Sequence, residues 1–371
     1  MRTCLTHLRL FMTADAAGGV FQYALDLAAG LAAAGVEITL AIFGPAMNAS
    51  QRGQTRALRG VRVIETGLAI EWLATSEADV IRAAAAAADL ACSCRADAVH
   101  LNSPALAIAR YDVPAVAVAH SCLASWWAAV KGTALPEDFR WRTAFFSRGL
   151  EAANLVVCPS LAFARVLNAI YGRTAVAVHN GRSSEGAGAG LAAPAPFAFT
   201  AGRLWDEGKD VATLDAAAGL TNVPLYAAGA EEGPNGARIE LRHAQALGML
   251  SEADLRAQLA RRPIFACASL YEPFGLSVLE AAQAGCALVL SGIPTFRELW
   301  QGTALFAAVR EPHCFARAIA RLQADPPLRA ALGRAAQARA KAYSAEAMTQ
   351  RMLGIYSALL GLREARRGAA A

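Results

Sequence analysis

Two glutamates eight residues apart are the most informative chemical feature of the sequence. They are Glu272 and Glu280 in the segment YEPFGLSVLEAAQAG. Pro273 suits the first position of a helix, where its missing N–H would be unpaired anyway, so a helix is predicted over Phe274–Ala284. A carboxylate inside an apolar helix is costly unless it is hydrogen-bonded, and sugar hydroxyls would serve as partners. The alternative is that Glu272 caps the helix while Glu280 pairs with a surface arginine.

The start of this helix is a candidate anion site. Gly275 allows a ligand to approach the backbone closely. The first-turn N–H groups carry the positive end of the helix dipole and would point at such a ligand. The expected donors are the backbone N–H groups of Phe274, Gly275, Leu276 and Ser277.

A second segment, TAGRLWDEGKD, places two cations on a glycine-containing loop after a predicted strand. Arg203 and Lys209 suit a diphosphate, because arginine offers a bidentate fork and lysine a point charge. Gly202 and Gly208 lie on this loop. The alternative is a solvated loop in which neighbouring carboxylates neutralise the cations.

Two further features follow predicted strands in the first half of the chain. Gly18 and Gly19 stand between a strand and a helix, where the backbone could approach a phosphate or a sugar, although a tight turn made for packing is an equal rival. His120 directly follows the strand predicted at Ala115–Ala119. A lone histidine at a strand end is more often a structural hydrogen-bonding group than a catalyst, so both roles stay open.

Short apolar runs alternate with amphipathic helices throughout the chain. This pattern predicts parallel sheets covered on both faces by helices. The predicted strands are Leu5–Phe11, Val36–Phe43, Val61–Ile64, Ala98–Leu101, Ala115–Ala119, Leu155–Cys158, Val176–Val178, Phe197–Ala201, Leu225–Ala228, Ile264–Ala268 and Ala287–Leu290. The predicted helices include Tyr23–Ala33, Glu77–Leu90, Asp210–Leu220, Ser251–Arg261 and several after Pro312.

The Gly/Ala/Pro-rich stretch SSEGAGAGLAAPAP interrupts the alternation and is predicted to be a linker. Its glycine pattern does not fit a dinucleotide fingerprint, because the sixth position is Leu191 and no helix follows. The chain is therefore divided into an N-terminal domain (1–182), the linker (183–196), a C-terminal domain (197–344) and a final helix and tail (345–371).

Composition narrows the class of protein. The 371 residues carry a net charge of only +5, which argues against nucleic acid but suits an anionic small ligand. The eight cysteines are scattered without a C-x-x-C pair and several lie in apolar runs, so a reduced, cytosolic protein is expected. His7 and Arg9 interrupt the apolar core that a signal peptide would need, and no transmembrane helix is expected.

Taken in order, these segments resemble the retaining glycosyltransferases of family 4, which have the GT-B fold. The likeness covers nearly the whole chain. The matching positions are Gly18-Gly19, His120, Asn180-Gly181, Gly202-Arg203 with Lys209, Gly229, and the E-x(7)-E signature from Glu272 to Glu280. The resemblance implies two Rossmann-like α/β domains facing a cleft, with a last helix around Ala345–Arg363 crossing back to the first domain.

The resemblance also implies roles for the site residues. Arg203 and Lys209 would hold the donor diphosphate, and Glu280 the ribose hydroxyls. Glu272 and the helix N–H groups would face the transferred sugar and its phosphates. His120 would lie near the anomeric centre, the Gly18-Gly19 loop would close over the phosphates, and the first domain would bind the acceptor.

The chain departs from the family pattern at two places. Arg182 replaces the usual acidic residue after Asn180-Gly181, and Ser291-Gly292 stands where the family has a Gly-Gly pair. No D-x-D motif occurs, so no metal or other cofactor is expected. The alternatives to a transferase are a nucleotide-sugar epimerase of similar fold and a non-catalytic protein that binds sugar nucleotides.

The acceptor is left open by the sequence. Trp126, Trp127 and Trp141 could stack on a sugar or an apolar aglycone, or could equally belong to the core. Arg140, Arg142 and Arg148 share a segment with aromatic residues, which would permit peripheral contact with the inner face of a membrane.

Overall fold

The structure is a computed structural model that describes residues 8–183, 194–233 and 236–370, with side chains as far as residue 361. The chain divides into two compact units. The described part of the first comprises 8–128, 133–183 and 345–370, and that of the second comprises 129–132, 194–233 and 236–344. The predicted linker lies, apart from residues 183 and 194–196, outside the described residues.

The first unit is built on a seven-stranded parallel sheet with strand order β3-β2-β1-β4-β5-β6-β7. Its strands are β1 (Arg9–Asp15), β2 (Glu37–Phe43), β3 (Val61–Glu65), β4 (Ala98–Leu101), β5 (Ala115–Val118), β6 (Leu155–Cys158) and β7 (Val176–Ala177). The helices within residues 8–183 are α1 (Gly18–Ala33), α2 (Ala49–Ala57), α3 (Glu77–Ser93), α4 (Leu123–Val130), α5 (Arg140–Ala152) and α6 (Leu161–Tyr171). Short 3-10 turns occur at Pro104–Ile108 and Glu137–Phe139.

The second unit has a six-stranded parallel sheet of order β10-β9-β8-β11-β12-β13. Its strands are β8 (Ala198–Ala201), β9 (Leu225–Ala228), β10 (Gln245–Gly248), β11 (Ile264–Cys267), β12 (Ala287–Ser291) and β13 (Ala304–Ala307). Its helices are α7 (Val211–Ala218), α8 (Glu252–Ala260), α9 (Leu276–Gln283), α10 (Pro294–Trp300), α11 (Pro312–Ala324) and α12 (Pro326–Ala340), with 3-10 turns at Glu207–Lys209 and Lys341–Tyr343.

In both sheets, the order in which the chain adds strands reverses beside the first strand. In the first unit the chain builds outward from β1 to β3 and then returns to place β4 on the other side of β1. In the second unit it builds from β8 to β10 and returns to place β11 beside β8. Ligands of open α/β sheets bind at the carboxyl ends of the strands at such switch points. The fold therefore indicates that ligand-binding residues lie in the loops after β1 and β4 in the first unit, and after β8 and β11 in the second.

The C-terminal helix α13 (Ala345–Ala370) belongs to the first unit, as the family resemblance implies, and is longer than the expected Ala345–Arg363. It packs along α1, and Met348, Met352 and Tyr356 join the core of the first sheet. The crossing is close at Gly30, where an added Cβ would lie 2.1 Å from Thr349 Oγ1. A glycine at this position is what allows the two helices to approach.

Arg182, the departure from the family pattern, has a partner in the first unit. Its guanidinium pairs with Asp26 of α1 at 2.7 Å, and the two side chains are only 9% and 11% exposed. A buried cation is tolerated only with such a partner. The arginine therefore fastens the segment that follows β7 to α1.

The strand boundaries differ from the predictions in identifiable ways. The first strand was expected at Leu5–Phe11; residues 5–7 lie outside the described residues, and Leu8 is not part of the strand. β1 runs from Arg9, whose guanidinium pairs with Asp97 at 2.9 Å, to Asp15. The sequence analysis did not predict the edge strands β10 and β13. β10 has no fully buried residue and so carries no continuous apolar signal.

Candidate functional site

The two cations predicted on the second unit lie in the loop that follows β8, at the switch point between β8 and β11. Arg203, Lys209 and Gly202 line one small cavity together with Ser277 of α9. Glu280 and Gly229 are not among the residues that line this cavity. The fold thus brings the cations and the start of α9 together at the edge of the sheet where ligands bind.

Arg203 is held by a buried aspartate, Asp206, one of the neighbouring carboxylates that the alternative interpretation of this loop gave as partners of the cations. Its Nη2 donates to Asp206 Oδ2 at 2.8 Å, while Asp206 Oδ1 accepts from the Gly208 N–H at 2.9 Å. Burial acts to raise the pKa of Asp206, but the charges of Arg203 and Lys209 and the Gly208 N–H outweigh it and hold that pKa below its usual value. The aspartate therefore stays ionised and orients Arg203.

Lys209 forms an ion pair with Glu272 of the E-x(7)-E signature. The two side chains are 22% and 12% exposed, so the pair is largely shielded from water. The loops that carry them are joined by the Gly208 carbonyl, which accepts from the N–H groups of Leu270 at 2.9 Å and Tyr271 at 3.3 Å. This ties the β8 loop to the β11 loop and fixes the distance between their charged groups.

Gly229 is required by a close approach of its backbone to that of Gly202. A Cβ added to Gly229 would lie 1.7 Å from the Gly202 carbonyl oxygen, and both residues have positive φ angles, 153° for Gly202 and 143° for Gly229. The Gly202 N–H donates to the Ala228 carbonyl at 3.0 Å. Any side chain at position 229 would displace the loop that carries Arg203.

The anion site at the start of α9 differs from the prediction in its boundaries. The helix begins at Leu276, because Gly275 takes a left-handed conformation with φ 93° and forms the N-cap without a side-chain hydrogen bond. Pro273 therefore lies outside the helix, and Phe274 places its ring in the core of the unit. Leu276 and Ser277 supply first-turn N–H groups as expected, whereas Phe274 and Gly275 precede the helix.

Glu280 lies in the middle of α9 and is half-buried. Its neighbours Leu279 and Ala281 are fully buried. The helix therefore places this carboxylate at the margin of the core rather than on a fully solvated face.

In the first unit, Gly18 and Gly19 form the first residues of α1 directly after β1. Gly18 has φ 60°, and the N-cap Ala17 makes no side-chain cap bond. Asp15, at the end of β1, accepts from the Ala17 N–H at 3.2 Å and from the Trp72 indole N–H at 3.0 Å. The loop thus presents uncapped N–H groups at the β1–β4 switch point.

His120 follows β5 and is half-buried, with its Nε2 lying 2.8 Å from Asn102 Oδ1. Asn102 Oδ1 also accepts a hydrogen bond from His100. His100 in β4, Asn102 just after β4 and His120 after β5 therefore form one polar cluster. Burial, assisted by the neighbouring His100, lowers the pKa of His120 to about 3. A neutral imidazole can accept a hydrogen bond from a hydroxyl but is a weak general base.

The sequence analysis missed His100 and Asn102. His100 and Asn102 sit two residues apart at the end of the apolar strand β4, so they share one face of the sheet. Polar residues at the end of a buried strand could have indicated a hydrogen-bonded cluster, since buried polar groups require partners.

Glu71 was also missed, and it lies in the loop between β3 and α3, where it hydrogen-bonds Ser103. Burial, reinforced by the charge of Asp15, raises its pKa to about 7 against the lowering effect of the Ser103 bond. Arg142 donates to the carbonyl oxygens of Glu71 and Ala74, at 3.3 and 2.8 Å. This arginine therefore stabilises the loop between β3 and α3 and is not part of an exposed basic surface.

The aromatic residues considered for acceptor binding differ in their surroundings. Trp126 and Trp127 are half-buried on α4. Trp141 packs edge-on against Phe145 and under the Arg142 guanidinium, 4.4 Å from its ring centre. Within the described residues, no helix is long and apolar enough to cross a membrane.

The cysteines in the described part of the chain are free thiols. In the same residues, no group of three or more histidine, cysteine or acidic side chains is arranged to hold a metal ion.

Comparisons with known proteins agree with this geometry. The family model described as Glycosyltransferase Family 4 matches residues 17–185, and the model described as Glycosyl transferases group 1 matches residues 225–339. A comparison with curated protein sequences finds no match.

Three solved structures illustrate the shared fold. Sucrose-phosphate synthase from Thermosynechococcus elongatus has 18% identity and a TM-score of 0.76, over 96% of this chain and 100% of its own. Anabaena HepE in complex with UDP-glucose has 19% identity and a TM-score of 0.72, over 95% and 100%. A glycosyltransferase from Rickettsia africae has 16% identity and a TM-score of 0.72, over 95% and 99%.

The two consecutive family matches, the two parallel sheets and the signature glutamate paired with the loop lysine lead to one conclusion: the chain belongs to the glycosyltransferases of family 4 and group 1, and it has the GT-B fold.

Proposed function

We propose that this enzyme moves a sugar from a nucleotide-diphosphate donor to an acceptor, with retention of anomeric configuration and without a metal ion. The observation that carries the proposal is the cation loop after β8. Arg203 and Lys209 each contact one carboxylate, and both line a cavity shared with Ser277 at the uncapped start of α9. A diphosphate is the ligand class that suits two restrained cations beside a helix N-terminus.

Both cations keep hydrogen-bond donors for a ligand. An ammonium has three N–H donors and a guanidinium has five. Within the described residues, Lys209 uses one of them on Glu272, and Arg203 donates to Asp206. The remaining donors are available to diphosphate oxygens while the two ion pairs stay intact.

The proposed step breaks the bond between the sugar's anomeric carbon and the diphosphate oxygen and forms a bond to the acceptor oxygen. The acceptor's proton passes to the leaving phosphate. Negative charge builds on that phosphate in the transition state, so fixed cations and N–H groups lower the barrier. Glu280 is assigned to the ribose, Glu272 and His120 to the transferred sugar, and the Gly18-Gly19 loop to the phosphates.

Retention is proposed through attack on the same face from which the phosphate leaves. Glu272 does not suit the role of a covalent nucleophile, because its carboxylate is paired with Lys209. An ion-paired carboxylate is better suited to stabilising positive charge on the sugar. Anomeric analysis of the product by NMR tests this proposal, and an inverted product would contradict it.

The acceptor binds the first unit in this proposal, and its chemical class is left to experiment. UDP-glucose is the first donor to test, because HepE of the same fold was crystallised with it. A thermal-shift screen of UDP-, GDP- and ADP-sugars, followed by product analysis with candidate acceptors, tests the proposed activity. Turnover of a donor only when an acceptor is present would establish a transferase.

Two outcomes of the same assay favour the alternatives. Conversion of a nucleotide sugar into its epimer without an acceptor would identify an epimerase. Binding of nucleotide sugars without any turnover across the acceptor panel would favour a non-catalytic binding protein.

A further inference from the structure

A continuous chain of hydrogen bonds connects the C-terminal helix to His120. Tyr356 Oη of α13 lies 2.7 Å from His100 Nδ1, and His100 Nε2 lies 3.1 Å from Asn102 Oδ1. The same oxygen lies 2.8 Å from His120 Nε2. Tyr356 and His100 are fully buried, and Asn102 is 6% exposed. Water therefore has little opportunity to replace any of these bonds.

The hydrogen-bond partners fix the direction of every bond in the chain. Asn102 Nδ2 donates to the Thr13 carbonyl oxygen at 2.7 Å, which assigns Oδ1 as the acceptor that faces the histidines. Both histidines must then carry a proton on Nε2. Neutral His100 has a lone pair on Nδ1, so the Tyr356 hydroxyl is the donor there.

A separate contact orients the His120 ring. Tyr23 of α1 meets it edge-on, with ring centres 4.5 Å apart and an interplanar angle of 70°. Packing on Tyr23 fixes the plane of the imidazole, but it does not decide which nitrogen carries the proton. Only the hydrogen bonds decide that.

We propose that Tyr356 is a positioning residue that fixes the tautomer of His120 through His100 and Asn102. Its hydroxyl donates to Nδ1 of His100, so the His100 proton stays on Nε2, which donates it in a hydrogen bond to Asn102 Oδ1. The Asn102 oxygen is thereby kept in place to receive Nε2–H of His120. This leaves Nδ1 of His120, which has no hydrogen-bond partner among the described residues, as an acceptor for a ligand hydroxyl.

The inference rests on the proposed function, in which His120 contacts the transferred sugar. Without the Tyr356 hydroxyl, only the Asn102 oxygen still favours a proton on Nε2 of His100, so the His100 tautomer with the proton on Nδ1 becomes populated. Its Nε2 lone pair would then face the lone pairs of Asn102 Oδ1, and the repulsion would move the amide away from its bond to His120. The consequence is a mixture of orientations at the imidazole rather than a loss of packing.

The test compares Tyr356→Phe with Tyr111→Phe, a matched control in the same unit. Tyr111 Oη donates to the Leu106 carbonyl at 3.1 Å and takes no part in the histidine chain. Ring-nitrogen NMR shifts of protein labelled with ¹⁵N-histidine report the tautomer of each histidine directly. Assignment uses one substitution for each of the six histidines.

In the wild type, both His100 and His120 should be neutral with the proton on Nε2. In Tyr356→Phe, the ring signals of both should move toward mixed tautomers, while Tyr111→Phe leaves them unchanged. The kcat of Tyr356→Phe should fall about tenfold with donor KM within about twofold, because orientation and not ground-state binding is lost. Circular dichroism should show that all variants are folded.

A wild-type His100 protonated on Nδ1 would overturn the proposal, and this measurement needs no variant to fold. Unchanged histidine signals in folded Tyr356→Phe would overturn it too, as would an equal loss of kcat in Tyr111→Phe. Failure of the wild type to transfer any sugar would count against the proposed function alone, because the tautomers are read without turnover.

Discussion

At the scale of single residues, the candidate donor site is preorganised by paired charges. Asp206 holds Arg203, and Glu272 holds Lys209, so neither cation must be ordered when a diphosphate arrives. The two carboxylates also cancel the charge of the two cations. Affinity for an anion must therefore depend mainly on how the remaining N–H donors and the first-turn N–H groups of α9 are directed. Net positive charge contributes less.

The two signature glutamates should respond differently to neutral substitution. Glu280→Gln removes a proposed partner of the ribose, which does not react, so it should raise donor KM and weaken nucleoside-diphosphate binding by roughly 1–3 kcal/mol. Glu272→Gln should bind the nucleoside diphosphate at least normally, since Lys209 loses a competing carboxylate, yet show a reduced kcat. Calorimetric titration and initial-rate kinetics separate the two effects.

Glu240→Gln is the matched control, because Glu240 is an exposed glutamate of the same unit. It should behave as the wild type. A loss of nucleotide affinity in Glu272→Gln, with affinity kept in Glu280→Gln, would show that the roles are reversed. No effect of either substitution would support a helix cap and a surface carboxylate instead.

At the scale of elements, the sequence predicted most of the strands and the loops that carry the chemistry. Short, mainly apolar runs such as Ala98–Leu101 and Leu225–Ala228 were predicted as strands with the bounds that the structure shows, because strands inside a parallel sheet are largely buried on both faces. The start of α9 was misplaced, because the left-handed conformation of Gly275 overrides the preference of Pro273 for a first helical turn.

Long-range contacts were the part of the site that the sequence could not predict. The Tyr356–His100 bond joins residues 256 positions apart. No local pattern specifies such a pairing, since it depends on how α13 packs on the first sheet. By contrast, the E-x(7)-E spacing is local and could be recognised directly.

The crossing of α1 and α13 gives an element-scale prediction. Gly30→Ala should lower Tm, because the new methyl group would collide with Thr349 and separate the helices, despite the better helix propensity of alanine. Thr349→Ala removes the obstructing atoms, so the double variant should recover most of the lost Tm. Differential scanning calorimetry of the single and double variants checks this. An equal loss of Tm in Gly30→Ala and in the double variant would show that Gly30 is not needed for the close approach of α1 and α13.

At the scale of the whole molecule, the buried titratable groups of the first unit make stability depend on pH. Burial lowers the pKa of His100 to about 4 and of His120 to about 3. Below their unfolded value of 6.5 the unfolded chain binds protons that the folded chain does not, so these two groups destabilise the fold as pH falls. Glu71 acts in the opposite direction.

The pKa of Glu71 is raised from 4.5 to about 7, so the folded state keeps a proton that the unfolded state loses between these values. Its contribution to stability is complete below pH 4.5 and is lost as pH rises through 7. Glu71→Gln mimics the protonated form. Its Tm should exceed that of the wild type most above pH 7, by an amount corresponding to roughly 3 kcal/mol at most, and the gap should close toward pH 4.5.

Thermal scans of both proteins from pH 4.5 to 8 measure this gap directly. All other titrating groups are shared by the two proteins and cancel in the difference. A constant Tm difference across that range would show that the Glu71 carboxyl is not protonated in the fold near neutral pH.

The central claim is that protein cations, without a metal ion, hold the diphosphate of the donor. The most direct test is calorimetric titration, in excess EDTA, of the nucleoside diphosphate selected by the donor screen. The wild type and Lys341→Ala, which removes an exposed lysine of the same unit, should bind equally well. Lys209→Ala and Arg203→Ala should each bind about tenfold or more weakly, as expected for a lost charge-assisted bond. Binding that needs added magnesium or manganese, or normal affinity in both variants, would contradict the claim.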